Sequence, residues 1–192
     1  MTCAVFGGTF NPVHNSHLIM AEYVNNMPEV DKLLIIPDNI PPHKAVKNLA
    51  SGVDRLKMCE LAFSGLNKAE ISGMELEREG ASYPVDTLNE LRNKYDKLYL
   101  VCGGDMVETF HLWRRYKEIL SIATIIAFTR DGKKDGDFKK GIENIKNAGG
   151  KVIVADISVP SLSSTEIRSG AEFSKSVPTG VAEYIELKGL YK

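Results

Sequence analysis

Short apolar runs separated by helix-like stretches constrain this chain more than any other feature of its sequence. Residues 3–6 (Cys-Ala-Val-Phe), 33–36 (Leu-Leu-Ile-Ile), 98–102 (Leu-Tyr-Leu-Val-Cys), 124–128 and 152–155 read as strands, with a shorter one at 69–71. Between them, helix-like patterns occupy 17–26, 53–63, 86–95, 115–121 and 138–148. A strand apolar on both faces must be covered on both faces. The alternation therefore predicts a mostly parallel sheet with helices on each side, a doubly wound α/β fold. With 192 residues, 43% of them hydrophobic, the chain can fill one such core, and a single domain over residues 1–192 is expected. In open parallel sheets ligands bind beyond the carboxyl ends of the strands, near the point where strand order reverses. The segments that follow strands are where function is to be sought.

Several classes drop out. Twenty-four Lys and Arg against 25 Asp and Glu leave a net charge of −1, so neither nucleic acid nor a membrane surface is an expected partner. Cys3, Cys59 and Cys102 are odd in number, scattered and without a C-x-x-C pair. Neither a disulfide framework nor a zinc site is expected, no protein-held metal is assigned, and the expected compartment is a reducing cytoplasm. Residues 1–8 lack the basic leader and long apolar stretch of a signal peptide. The longest apolar stretch, 119–128, is interrupted by Ser121 and Thr124 and is too short to span a bilayer. The sequence contains no G-x-G-x-x-G, G-x-x-x-x-G-K-[ST] or G-x-S-x-G, which removes most of the case for a dinucleotide dehydrogenase, a P-loop kinase or an α/β-hydrolase.

Two segments carry chemistry. The first strand runs into Gly7-Gly8-Thr9-Phe10-Asn11-Pro12-Val13-His14-Asn15-Ser16-His17, with a helix beyond. Paired glycines after a strand admit a ligand close to the backbone, and a helix start presents N–H groups and positive dipole to an anion. His14 and His17 are three residues apart and can face one way in a first helical turn, where imidazoles could donate to phosphate oxygens. Two surface histidines after a glycine turn would look the same. The second segment is Leu162-Ser163-Ser164-Thr165-Glu166-Ile167-Arg168. Ser163 and Glu166 have capping-box spacing, which marks a helix start; the hydroxyls, the helix N–H groups and Arg168 could equally hold a polyphosphate.

The first segment resembles the G-x-F-x-P-x-H-x-G-H signature of the nucleotidyltransferase superfamily, and Ser163-Ser164-Thr165-Glu166-Ile167-Arg168 resembles its second phosphate-binding motif. The intervening pieces resemble one branch, the bacterial nicotinate mononucleotide adenylyltransferases. They are Pro41-Pro42-His43-Lys44, Ser82-Tyr83-Pro84-Val85-Asp86-Thr87-Leu88, Gly103-Gly104-Asp105, Trp113, and the ending from Val177-Pro178 to Gly189-Leu190-Tyr191. The likeness spans nearly the whole chain in order. It implies a Rossmann-like nucleotidyltransferase fold and transfer of the adenylyl group of ATP, with Mg²⁺, to nicotinate mononucleotide, giving deamido-NAD and pyrophosphate in NAD biosynthesis. By resemblance, His14, His17 and Arg168 are catalytic. Gly7, Gly8, Thr9, Phe10, Ser16, Gly103, Asp105, Ser163, Ser164 and Thr165 meet ATP, with Asp105 accepting from a ribose hydroxyl. His43, Lys44, Tyr83, Thr87, Trp113 and Arg130 meet the acceptor, with Trp113 stacking on the pyridine ring.

The sequence also departs from that pattern. Asn11 stands where Asp is frequent, Ser16 fills the Gly position of H-x-G-H and could itself donate to phosphate, Pro84 removes an N–H from the acceptor loop, and Asp131 replaces a Pro. Alternative acceptors are pantetheine phosphate and nicotinamide mononucleotide. An alternative of another class is a nucleotide-binding regulator without turnover. The sequence fixes no oligomeric state, and a homo-oligomer stays open.

Overall fold

Strands β1 (Thr2–Gly8), β2 (Lys32–Pro37), β3 (Ala69–Ile71), β4 (Lys97–Cys102), β5 (Ala123–Arg130) and β6 (Val152–Val159) form one sheet in the order β3-β2-β1-β4-β5-β6. Every neighbouring pair is parallel. The structure is a computed structural model and describes residues 1–39, 48–131, 136–170 and 173–191. The helices are α1 (Asn15–Asn25), α2 (Gly52–Phe63), α3 (Pro84–Leu91), α4 (Gly104–Thr109), α5 (Tyr116–Ile122), α6 (Gly136–Asn147), α7 (Ser164–Ser169), α8 (Phe173–Ser176) and α9 (Thr179–Lys188). A 3-10 turn, Phe110–Leu112, links α4 toward α5.

Alternate strand residues face opposite ways, and the two sets build two cores. Ala4, Phe6, Leu33, Ile35, Tyr99, Val101, Ile126 and Phe128 pack with residues of α1, α2, α7 and α9. Cys3, Val5, Leu34, Ile36, Leu98, Leu100, Cys102, Ile125 and Ala127 pack with α3, α4, α5 and α6. This is the doubly wound arrangement that the apolar alternation predicts. The chain winds outward from β1 to β3, returns to pair β4 on the other side of β1, and reverses there. The reversal opens a crevice at the carboxyl ends of β1 and β4, where Gly8 and Cys102 stand.

Element boundaries differ from the sequence reading in instructive places. Helix α1 starts at Asn15 rather than 17, because His14 is its N-cap in extended backbone. Helix α3 starts at Pro84, where a missing N–H is tolerated, and stops at Leu91 instead of running to 95. Strand β6 runs past its apolar half to Val159, pairing Ser158 and Val159 with Thr129 and Arg130 after a register irregularity. The short helix α4, absent from the sequence reading, is too brief to show a helical period. Gly141 lets α6 lie on its backbone, since a Cβ there would sit 2.6 Å from the Val107 carbonyl oxygen. Among the described residues no helix is long and apolar enough to cross a membrane.

Candidate active site

The crevice holds a cavity of about 710 Å³. From the first motif, Gly7, Gly8, Thr9, Phe10, His14, Ser16 and His17 border it; from the second, Ser163, Ser164, Thr165 and Arg168 do. Gly103 and Asp105 border it beyond β4, Arg130 at the end of β5, and Tyr83, Thr87 and Trp113 on the far wall. The structure thus gathers every expected site residue in its described part around one space. His43 and Lys44 lie outside the described residues.

The floor follows from local geometry. A Cβ on Gly8 would meet the Phe10 ring at 3.2 Å, so a side chain there would crowd the ring that lies over the end of β1. Phe10 has φ 48°, a left-handed conformation costing a non-glycine residue about 1–3 kcal/mol. It is held by ring contacts to Phe6 (5.5 Å), His17 (5.0 Å) and Phe63 (6.2 Å). His14 and His17 stack with centroids 3.6 Å apart and planes 17° apart. The His14 backbone N–H donates to Nδ1 of His17 at 3.3 Å. With that nitrogen accepting, the neutral His17 ring carries its proton on Nε2 and has one donor to offer. Burial first, and then the Arg130 charge, push His14 down to about 4. Burial also holds His17 well below the ordinary range, aided by His14 and Arg130. Both rings are therefore neutral hydrogen-bond donors near pH 7, and approaching phosphate charge would favour their protonation.

The two motifs are bonded to each other. Ser164 Oγ donates to the Pro12 carbonyl at 2.9 Å, and Arg168 Nη1 donates to the Asn11 carbonyl at 2.6 Å and the Ser164 carbonyl at 3.1 Å. Arg168 Nη2 donates to Thr165 Oγ1 at 3.3 Å. Ser163 is the N-cap of α7, but its side chain makes no capping bond, so the expected capping box is not formed. Ser16 Oγ, which the sequence suggested as a phosphate donor, instead donates to the Pro160 carbonyl at 2.8 Å and ties α1 to the end of β6.

At the opposite end Trp113 stacks on Phe110 (4.9 Å, 29°) and is half-buried. Beside it the Arg114 guanidinium lies over the Tyr83 ring at 4.6 Å. Thr87 is 1% exposed. Its hydroxyl donates to Glu75 at 2.5 Å and accepts from Arg78 at 3.1 Å, so the side chain braces the loop. Glu75 is buried, and burial raises its carboxyl above the usual range against hydrogen bonds from Thr87 and Ser82. Asp105, expected to accept from a ribose, forms an ion pair with Arg130 at 2.6 Å.

Sequence reasoning missed Arg55, which is 2% exposed and heavily bonded. It donates to carbonyls of Ala50 (3.2 Å), Thr9 (2.9 Å), Asp38 (2.7 Å) and Asn39 (3.4 Å), and to the Asp38 carboxylate at 3.3 Å. Asp38 also accepts from Thr9 Oγ1 at 2.8 Å. Arg55 therefore fixes the first motif to the exit of β2. The only sequence signal was an arginine on the otherwise apolar side of α2, which also holds Met58, Cys59 and Ala62.

Comparison with known proteins gives a consistent result. Residues 5–170 match the family model described as cytidylyltransferase-like. A protein of Caldicellulosiruptor saccharolyticus named probable nicotinate-nucleotide adenylyltransferase is 38% identical over the full length of both chains. One of Geobacillus thermodenitrificans with the same name is 36% identical over 97% of this chain and 84% of its own. Among solved structures, the Plasmodium falciparum nicotinic acid mononucleotide adenylyltransferase complexed with APC superposes with a TM-score of 0.77 at 18% identity, covering 99% of this chain and 96% of that one. The same enzyme complexed with NaAD gives a TM-score of 0.75 at 20% identity, covering 99% and 97%. At those identities the superposition speaks for the fold.

Proposed function

The chain belongs to the cytidylyltransferase-like family, and from its full-length relatives we propose that it is a nicotinate-nucleotide adenylyltransferase, which joins ATP and nicotinate mononucleotide into deamido-NAD with release of pyrophosphate. The observation that carries the reading is the stacked, neutral His14–His17 pair set between two mutually bonded motifs on the floor of a single crevice. A phosphate oxygen of the mononucleotide attacks the α-phosphorus of ATP, a new O–P bond forms, and the bond from the α-phosphorus to the bridging oxygen breaks. The nucleophile is already ionised near neutral pH, because a phosphate monoester loses its second proton near pH 6. No general base is required, and the chain's task is positioning and stabilising charge.

His17 and His14 would donate to oxygens around the α-phosphorus, and Arg168, with Ser163 to Thr165, would hold the departing pyrophosphate. Asp105 and Gly103 would border the ribose end of the nucleotide. Trp113 would stack on the pyridine ring. Arg114 beside it supplies a positive charge, which favours a ring bearing a carboxylate over one bearing an amide, and offsets the donor absent at Pro84. Tyr83 and Arg130 would frame the acceptor. Mg²⁺ would neutralise triphosphate charge. Among the described residues no three His, Cys, Asp or Glu side chains converge on a metal-binding geometry. The ion would therefore ride on phosphate oxygens and water, a usual arrangement for Mg²⁺. The reaction's soluble nucleotides suit a cytoplasmic location.

The test is pyrophosphate release from ATP and Mg²⁺ with nicotinate mononucleotide, nicotinamide mononucleotide or pantetheine phosphate as acceptor. Preference for nicotinate mononucleotide is expected. Preference for another acceptor would move the chain to a different branch, and ATP binding without turnover would make it a sensor.

A further inference from the structure

Asn11 is 1% exposed and joins three distant parts of the chain. Its Oδ1 accepts from the Tyr191 hydroxyl at 2.7 Å and from the Ala50 backbone N–H at 3.0 Å, and its Nδ2 donates to the Asn48 carbonyl at 3.1 Å. Its main-chain carbonyl accepts Arg168 Nη1 at 2.6 Å. Every polar atom of the amide is matched, which fixes which end is oxygen: reversing it would set an NH₂ against the Ala50 N–H. Phe10, immediately before it, sits at φ 48°, and His14 follows three residues later. Tyr191 belongs to the segment after α9, packs against the sheet face that carries α1 and α2, and does not border the cavity.

We propose that Tyr191 is a positioning residue for adenylyl transfer, acting through Asn11 to hold the residue 7–14 turn and Arg168 in the arrangement that receives the triphosphate. With Nη1 engaged by the Asn11 and Ser164 carbonyls and Nη2 by Thr165 Oγ1, the Arg168 guanidinium is held in one orientation at the edge of the cavity it borders. Among the described residues, the Tyr191 hydroxyl is the one group on Asn11 supplied from beyond the two motifs and the 48–50 segment. Losing it leaves the Oδ1 lone pair in a buried place with one partner and lets the amide rotate, so the effect falls on the phosphate end of the site and not on the Trp113 end. This inference rests on ATP as the donor substrate and is indifferent to the identity of the acceptor.

The experiment compares the wild-type chain with Tyr191→Phe, which keeps the ring and removes only the hydroxyl, in the wild-type and Asn11→Ala backgrounds. Calorimetry reads the Kd for α,β-methylene-ATP, and pyrophosphate release reads KM for ATP and for the acceptor. Tyr191→Phe is expected to raise the analogue Kd and the KM for ATP about fivefold, as loss of one hydrogen bond does, with the acceptor KM changed less than twofold. In Asn11→Ala the same substitution is expected to add less than twofold, since coupled residues are non-additive. If Asn11→Ala does not fold, the comparison uses Asn11→Ser. Unchanged analogue binding with only a lowered melting temperature would overturn the proposal, as would an equal effect in both backgrounds. A wild-type chain that fails to bind the analogue would instead refute the nucleotide reading itself.

Discussion

Burial of His14 should make the stability of the folded chain depend on pH in a way that one substitution removes. The ring is 5% exposed, and its pKa falls from an ordinary 6.5 to about 4, chiefly through burial and then through Arg130. Between those values the unfolded chain carries a proton on this imidazole that the folded chain does not. Unfolding therefore takes up a proton, and the free energy of unfolding rises with pH across the window. The stabilisation is complete above pH 6.5 and is lost progressively as the pH falls toward 4. The full difference corresponds to about 3 kcal/mol, with a limiting slope of about 1.4 kcal/mol per pH unit. That is a large part of the 5–15 kcal/mol typical of a folded domain. His17 is displaced in the same direction and touches His14, so the two titrate together, and the double substitution should remove more than either alone. Urea unfolding followed by circular dichroism from pH 7.5 to 4.5 would compare wild type with His14→Gln. The carboxylates contribute nearly equally to both curves and drop out of the difference. The wild-type curve should fall more steeply, by about 2–3 kcal/mol at the acid end, and saturating ATP should reduce the gap, since phosphate favours the protonated ring. Parallel curves would refute the argument that burial keeps the pair neutral.

His17→Ala should keep the melting temperature within a few degrees and lower kcat by several orders of magnitude, measured as pyrophosphate release; normal turnover would remove the ring from the reaction. Trp113→Ala should raise KM for nicotinate mononucleotide roughly 5- to 150-fold, the equivalent of about 1–3 kcal/mol of ring stacking, and leave KM for ATP unchanged. Gly141→Ala forces a methyl to within 2.6 Å of the Val107 carbonyl oxygen, and overpacking should cost about 1–3 kcal/mol by chemical denaturation. An unaltered denaturation midpoint would show that α6 can shift away from α4 at no cost.

What the sequence made legible was local in origin. The apolar runs over 33–36 and 98–102 are central strands in the structure because such runs need cover on both faces, and the reversal at β1 follows from the strand order. Gly8, His14 and His17 could be read because a strand end, a glycine and a three-residue spacing are properties of one short segment. Strand β6 was read only to 155, since Asp156 and Ser158 break its apolar pattern while their backbone still pairs with β5. Arg55 and Tyr191 were illegible for the same reason taken further. Arg55 lies on a helix 46 residues from the carbonyl of Thr9 that it binds, and Tyr191 lies 180 residues from Asn11. No spacing rule relates residues whose proximity is created by the sheet.

The same distinction sorts the expected ligand contacts. The hydroxyls of Ser16, Thr87 and Ser164 all donate to protein oxygens within 2.9 Å, on Pro160, Glu75 and Pro12 respectively. Each sits where two backbone segments meet, and a hydroxyl on a one-carbon stem reaches only what its own backbone already touches. The long or planar groups behave differently. Arg168 bonds the Asn11 and Ser164 carbonyls through one guanidinium nitrogen and Thr165 Oγ1 through another, and still borders the cavity, and Trp113 packs one face on Phe110. A side chain of that size can belong to the core and to the cavity together. In this chain the serine at the usual glycine of the first motif is best understood as a tether between α1 and the end of β6. Ser16→Gly should accordingly reduce stability by about 1 kcal/mol, the value of one hydrogen bond, before it changes the binding of phosphate.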